Sequence, residues 1–272
     1  MANCNHDCAN CSQKGNCSDE IIKSVPNDLS KIKRVIGVLS GKGGVGKSFI
    51  TSTLAAYLSR SGLSVGILDA DVTGPSIPKA FGITEKAYGE GNYIYAAKTT
   101  GGIRVMSANL LLDDETDPIV WRGPLLGNLV KQFFEQVAWG DLDVLLIDMP
   151  PGTGDVALTI FQSLPVDDLI IVTSPQDLVS LIVSKAIKMA ELMNIHVLGV
   201  IENMSYLVCP KCEEKIPLFG ESHLEEFAEQ MHFDILAKLP LNSQNTLLMD
   251  KGEIEKISLP EIQPAVNKIL GE

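Results

Sequence analysis

The chain has 272 residues, with 34 acidic against 22 basic side chains, a formal charge of −12 and 45% hydrophobic residues. At about 100–200 residues per domain this is one large domain or two small ones, long enough for a sizeable core. The acidic balance argues against general nucleic-acid binding, which needs Lys and Arg to neutralise phosphate. No run of about 18 or more apolar residues is present to span a membrane. The N-terminus lacks the apolar stretch of a secretory signal, and six Cys in a chain this long do not read as a disulfide scaffold. These features predict a cytoplasmic protein that binds neither nucleic acid nor membrane, with reduced thiols free to hold metal.

Residues 1–30 are polar, hold four of the six Cys and show no helical or strand periodicity. They read as a Cys-rich extension that orders only around a metal, with Ser24 to Lys33 as a linker. Residues 31–272 then read as one unit. Val35–Ser40 is an apolar run typical of a buried strand, and Lys47–Arg60 carries apolar residues at helical spacing. Strands are expected at 64–68, 103–107, 144–147, 169–172, 196–201 and 233–239, and helices at 130–137, 178–193, 224–230 and 265–270. Tyr88 to Thr100 fits a surface hairpin or an excursion from the sheet. Strand runs that are apolar throughout are covered on both faces. The predicted class is therefore α/β, a doubly wound and mostly parallel sheet with helices on both sides.

Gly41-Lys42-Gly43-Gly44-Val45-Gly46-Lys47-Ser48 follows the first long strand and opens the first helix. This is a phosphate-binding loop in its required setting. Glycines let backbone N–H groups turn inward around phosphate oxygens, and the helix N-terminus adds partial positive charge. Lys47 would reach the β- and γ-phosphates of ATP, and the Ser48 hydroxyl would ligate Mg²⁺. Asp148 ends the apolar strand and precedes Met149-Pro150-Pro151-Gly152-Thr153-Gly154-Asp155, while Asp69 and Asp71 end an earlier strand. Carboxylates at those strand ends can hold Mg²⁺ or act in catalysis. Asp155 and Asp177 read instead as helix N-caps.

Cys209-Pro210-Lys211-Cys212 places two thiolates within reach of one metal centre. A redox pair, half of a zinc site and half of an iron–sulfur site are the three readings. Two thiolates close neither metal site, and a two-fold axis would bring four together. Cys4, Cys8, Cys11 and Cys17 are enough thiolates for one further cluster or one Zn²⁺ per chain.

GKGGVGKS, DADVTGPS, DMPPGTGD, TSPQD and ENMSYLVCPKC, in that order, resemble the Mrp/ApbC group of iron–sulfur carrier ATPases within the MinD/ParA superfamily, whose phosphate loop carries an early second lysine. The resemblance implies a homodimer in which Lys42 completes the partner's nucleotide site. It implies that Asp71 activates the attacking water, that Asp69 lies close to Mg²⁺ and that Asn203 reads adenine. It implies a [4Fe-4S] cluster held between protomers by Cys209 and Cys212 and passed to apo-proteins, with scaffold proteins as further partners. Cys8, Cys11 and Cys17 match the spacing of the group's Cys-rich tail, and Cys4 stands closer to Cys8 than that pattern has it. Pro240-Leu241-Asn242 stands where many relatives have Pro, an apolar residue and Asp, so no role is carried over there. The rival readings are a MinD/ParA-like positioning ATPase, an electron donor resembling the nitrogenase iron protein and a zinc-bridged dimer without cluster transfer. The final stretch, with Lys268 against Glu261 and Glu272, makes a poor basic membrane anchor.

Overall fold

The computed structural model describes residues 23–71, 76–112, 123–175, 179–220 and 222–271. The elements in chain order begin with β1 (Ser30–Ile32), β2 (Val35–Ser40), α1 (Lys47–Arg60), β3 (Val65–Asp69), α2 (Ile77–Ala80), β4 (Tyr88–Glu90) and β5 (Tyr93–Tyr95). There follow β6 (Ala97–Lys98), β7 (Arg104–Ser107), α3 (Gly123–Gln136), β8 (Gly140–Leu142), β9 (Val144–Asp148), α4 (Asp155–Ser163) and β10 (Asp168–Thr173). The last are α5 (Val179–Leu192), β11 (His196–Val208), β12 (Lys215–Ile216), α6 (Leu224–Met231), β13 (Ile235–Pro240), α7 (Ser243–Asp250) and α8 (Gln263–Leu270).

The main sheet has the order β12-β11-β10-β2-β9-β3-β7-β6, with β13 also paired to β11. Its pairs are parallel except β6 with β7 and β12 with β11. Alternate residues of the central strands feed opposite layers. Ile36, Val38, Leu146 and Ile170 pack with Ile50 and Leu54 of α1 and Val266 of α8. Val35, Leu39, Leu145 and Ile171 pack with Phe133 of α3, Phe161 of α4 and Val183 of α5. Continuous apolar strands therefore arise because both faces are buried, as the sequence pattern predicts. Among the described residues no helix is long and apolar enough to cross a membrane.

The reading of residues 24–33 as a linker is corrected. Residues 30–32 form β1, which pairs in parallel with β8. The Asn27 side-chain amide donates to the carbonyls of Glu135 (2.9 Å) and Val137 (2.8 Å) at the end of α3. Trp139 N donates to Ser30 Oγ at 2.8 Å, and Ser24 N to Ser163 O at 2.7 Å at the end of α4. Polar side chains satisfying remote carbonyls hold this segment, a device with no hydrophobic periodicity to betray it. The Asp155 reading is also corrected, since Gly154 is the N-cap of α4 and Asp155 its first helical residue. Asp177 lies outside the described residues, as does the extension's Cys4, Cys8, Cys11 and Cys17. The expected hairpin forms, with β4 and β5 antiparallel and Tyr88 stacked on Tyr95 at 5.0 Å between ring centroids.

Candidate functional site

The loop between β2 and α1 is shaped by its glycines. Gly46 sits at φ 84° as the N-cap of α1, with no side-chain cap and no acidic residue in the first turn. A Cβ there would lie 2.3 Å from Asn203 Nδ2. Gly41 needs its missing side chain for a different reason, because a Cβ would lie 1.4 Å from Ile182 Cγ2 of α5. The first turn of α1 thus presents its amides and its positive end to an anion.

Register explains the charge cluster beneath the loop. β3 and β9 pair so that Asp69 lies opposite Asp148, and Val38 of β2 opposes Asp148 from the other side. Asp148 is fully buried, and Lys47, 5% exposed, places Nζ 2.8 Å from Asp148 Oδ2 and 3.4 Å from Asp71 Oδ2. Ser48 Oγ donates to Asp148 Oδ2 at 2.6 Å, and Thr51 Oγ1 to Asp148 Oδ1 at 2.7 Å. Asp69 accepts from Ser107 Oγ at 2.9 Å and from the Asp71 backbone amide at 3.2 Å. Burial, then the neighbouring Asp148 charge, pushes the Asp69 carboxyl well above the usual carboxylate range. The Lys47 ammonium and the Ser107 hydroxyl pull it back only in part, and the Asp71 charge adds a smaller upward push. Asp148 Oδ2 and Ser48 Oγ, 2.6 Å apart, form an oxygen donor pair beside the Lys47 ammonium. It suits a hard divalent cation such as Mg²⁺, which takes one or two protein ligands and completes its shell with phosphate and water. Gly152 N donates to Ser40 O at 2.7 Å, tying the segment after Asp148 to the base of the loop.

A cleft of about 370 Å³ opens above these groups. Its phosphate end is lined by Gly43, Gly44, Gly46, Lys47, Ser48 and Asp71, and its far end by Asn203, Met204, Pro240, Leu241, Asn242 and Asn245. Asn203 Nδ2 donates to Val45 O at 3.0 Å, so the residue expected at the base also braces the loop. Lys42 is half-buried, and its carbonyl accepts from Ser40 Oγ at 3.0 Å. The far wall was not legible as part of a site. Pro240 to Asn242 depart at Asn242 from the Pro–apolar–Asp pattern of the resembling group, and Asn242 caps α7 by accepting from Gln244 N at 2.8 Å. Position is the remaining signal, since a loop at the C-terminal end of a parallel strand is where α/β ligands bind.

β11 extends well beyond the expected 196–201 and runs from beneath the cleft to Val208. Glu202 and Asn203 break its apolar run, and Met204 sits at φ 59° where the register with β13 shifts. Cys209 to Cys212 follow as a turn, and β12 pairs back onto Leu207 and Val208. Cys209 N donates to Glu214 O at 2.9 Å and Glu213 N to Cys209 O at 3.0 Å, which places Glu213 at φ 60°. Hydrogen bonds from the Lys211 and Cys212 amides, then from the Cys212 thiol, lower the Cys209 thiol pKa. This favours thiolate, the form that binds metal. Cys212 is exposed. Among the described residues no group of three or more His, Cys, Asp or Glu is placed to hold a metal ion.

A ParA family model described as the NUBPL iron-transfer P-loop NTPase matches residues 31–271. The iron-sulfur cluster carrier protein of Clostridium perfringens is 44% identical over 257 residues, covering 92% of this chain and 90% of that one. The protein of the same name from Methanocaldococcus jannaschii is 44% identical over 261 residues, covering 93% and 90%. A nucleotide-binding protein from Archaeoglobus fulgidus, solved in complex with ADP and with cobalt found in it, superposes with a TM-score of 0.77 at 41% identity, covering 86% of this chain and 92% of that one. MinD in the MinC:MinD complex of Aquifex aeolicus, 21% identical with a TM-score of 0.62 over 88% of this chain and 96% of that one, shares the fold. The motif resemblance is thereby borne out, and the chain belongs to the NUBPL iron-transfer P-loop NTPase family.

Proposed function

We propose that this chain is an ATP-hydrolysing carrier that holds a [4Fe-4S] cluster between two copies of itself and hands it to apo-proteins. The observation that carries this reading is the course of β11, one strand that bears Asn203 at the cleft and ends at Val208, immediately before Cys209 of the thiol turn. The names of its carrier relatives support the cargo, and the acidic cluster below the phosphate loop supports the fuel.

In this reading the amides of residues 43–48 surround the triphosphate and Lys47 turns from Asp148 towards the β- and γ-phosphates. Ser48 Oγ and Asp148 would hold Mg²⁺, which neutralises charge across those phosphates. Asp69 stays beside it and steadies Asp71 through the backbone amide. Asp71 accepts the proton of the attacking water at its carboxylate. Lys42 reaches the partner copy's nucleotide, and Asn203 contributes its amide at the base. Hydrolysis relaxes the segments that follow Asp71 and Asp148. Since Gly152 is bonded to the base of the loop, that relaxation changes how two copies meet. Cys209 and Cys212 of each copy complete the cargo site, which one copy leaves half-built. The segment that carries Cys4, Cys8, Cys11 and Cys17 forms a second metal-binding unit ahead of the ATPase domain. The protein works in the cytoplasm with apo iron–sulfur proteins, and with cluster scaffold proteins, as partners. A zinc-bridged dimer would use the same thiolates.

The test is metal and sulfide analysis after anaerobic reconstitution of a chain whose four N-terminal Cys are Ser. One [4Fe-4S] cluster per two chains is expected, and Cys209→Ala with Cys212→Ala should remove it. Zinc in place of iron, or an iron content unchanged by the double substitution, would overturn the assignment. Lys47→Ala and Asp71→Ala should still load the cluster and fail in ATP-dependent transfer.

A further inference from the structure

α7 is a helix of eight residues in which a single position is buried, and that position is polar. Asn245 is 6% exposed and lines the far end of the cleft together with Asn203, Met204, Pro240 and Leu241. Its side-chain amide has no hydrogen-bond partner among the described residues. The neighbouring amides differ in this respect. Asn242 is engaged with Gln244 N, and Asn203 donates to Val45 O. The amide lines the cleft without a protein partner, so its donor and acceptor are open to a ligand. A helix that needed only to cover the sheet would place an apolar residue there, as Val266 and Ile269 do in α8.

The chemistry of an amide narrows the ligand. One carboxamide offers an acceptor oxygen beside a donor N–H₂. Adenine presents the complementary pair, an exocyclic N–H₂ beside an unprotonated ring nitrogen, whereas the matching edge of guanine carries two acceptors. The surrounding Met204, Pro240 and Leu241 supply apolar surface for the faces of a flat ring. We propose that the Asn245 side-chain amide reads the nucleobase, pairing with the 6-amino group and an adjacent ring nitrogen of adenine, and so sets a preference for ATP over GTP. This rests on the reading of the cleft as a nucleotide site and adds the group that selects the base. No motif marks it, because nothing in SQNTLLMD separates Asn245 from the other polar residues of an exposed helix.

The experiment is a variant-by-analogue comparison of equilibrium binding by the full chain with Mg²⁺. The ligands are ATP, GTP, 2′-deoxy-ATP and purine riboside triphosphate, which lacks the 6-amino group. The parent protein should bind ATP at least about tenfold tighter than purine riboside triphosphate or GTP, the discrimination expected of one bidentate amide pair. Asn245→Leu, which keeps the volume and removes both polar atoms, should bring ATP to within about twofold of purine riboside triphosphate, with binding of the latter unchanged. Asn245→Asp keeps the shape and loses the donor, so its ATP-to-GTP ratio should also fall, which covers the case in which the Leu variant does not fold. An unchanged ATP-to-purine-riboside ratio in the folded variants overturns the proposal. So does an equal loss for every triphosphate, or a change confined to 2′-deoxy-ATP, which would place the amide on the ribose. A parent protein that binds none of the four would instead sink the nucleotide reading itself.

Discussion

The cleft and the thiol turn are joined by one strand and built on opposite principles. The cleft is tightly built within one copy. Lys47, Asp69 and Asp148 are buried, each oxygen of Asp148 accepts from a hydroxyl, and three strands fix the carboxylates in register. The turn is open. Cys212 is exposed, and nearby Val208, Leu218 and Phe219 are 41%, 44% and 46% exposed. Its order comes from a few backbone hydrogen bonds and a short two-stranded pairing. The difference teaches where each activity is stored. Phosphate chemistry needs groups preorganised away from water, so the chain spends its core on it. In the proposed function, a cargo site that must fill and empty gains from being half-built and accessible, with the remaining ligands arriving from a second copy.

The contrast is sharpest in how the two regions respond to substitution. Lys47→Ala leaves the buried Asp148 carboxylate without its ammonium. It should cost about 3 kcal/mol of folding stability by denaturant titration and abolish measurable ATP binding. A folded variant of parental stability would mean that the cleft is not the tightly coupled cluster described. Thr51→Val removes the hydroxyl that Asp148 Oδ1 accepts, at nearly constant volume, and should cost about 1–3 kcal/mol while leaving iron loading untouched. Loss of the cluster in that variant would show that the two regions are less separable than their structures imply. Glu213→Gly relieves a left-handed backbone position in the turn. The relief of about 1–2 kcal/mol is largely offset by the greater freedom of glycine in the unfolded chain, so global stability should move by less than about 1 kcal/mol. The cluster should survive chelator challenge at least as long as in the parent. A faster loss would show that the Glu213 side chain, rather than the backbone turn, is what the position supplies.

Legibility in the sequence followed the same divide. β2 and α1 were readable to the residue, because an apolar run, a glycine-rich loop and a helical stripe meet there without interruption. β11 runs past the apolar stretch that marks it because Glu202 and Asn203 are polar within a buried strand, and Met204 adopts a left-handed conformation that breaks alternation. α3 begins at Gly123 rather than near Val130. Its first turns carry Gly123, Pro124 and Gly127, and a Cβ at Gly127 would lie 2.5 Å from Thr159 Cγ2 of α4, so close helix packing replaced helix-forming composition. α7 was invisible because its single buried side chain is the amide of Asn245, which gives no apolar stripe. The phosphate loop, the Asp positions and the C-x-x-C spacing were legible because their chemistry demands fixed residue types at fixed intervals. Of the base-side wall, Asn203 was legible through the motif around it, whereas the part built from the start of α7 was not, since it lies far along the chain and carries no apolar stripe.

The claim on which the account turns is that one copy supplies only half of the cargo site. Native mass spectrometry of the anaerobically reconstituted chain, with its four N-terminal Cys replaced by Ser, measures this directly. The account predicts a species of two chains carrying a single [4Fe-4S] cluster, which reverts to cluster-free chains when Cys209 and Cys212 are Ala. A single chain that retains a complete cluster, or a two-chain species whose cluster persists without those thiols, would contradict it.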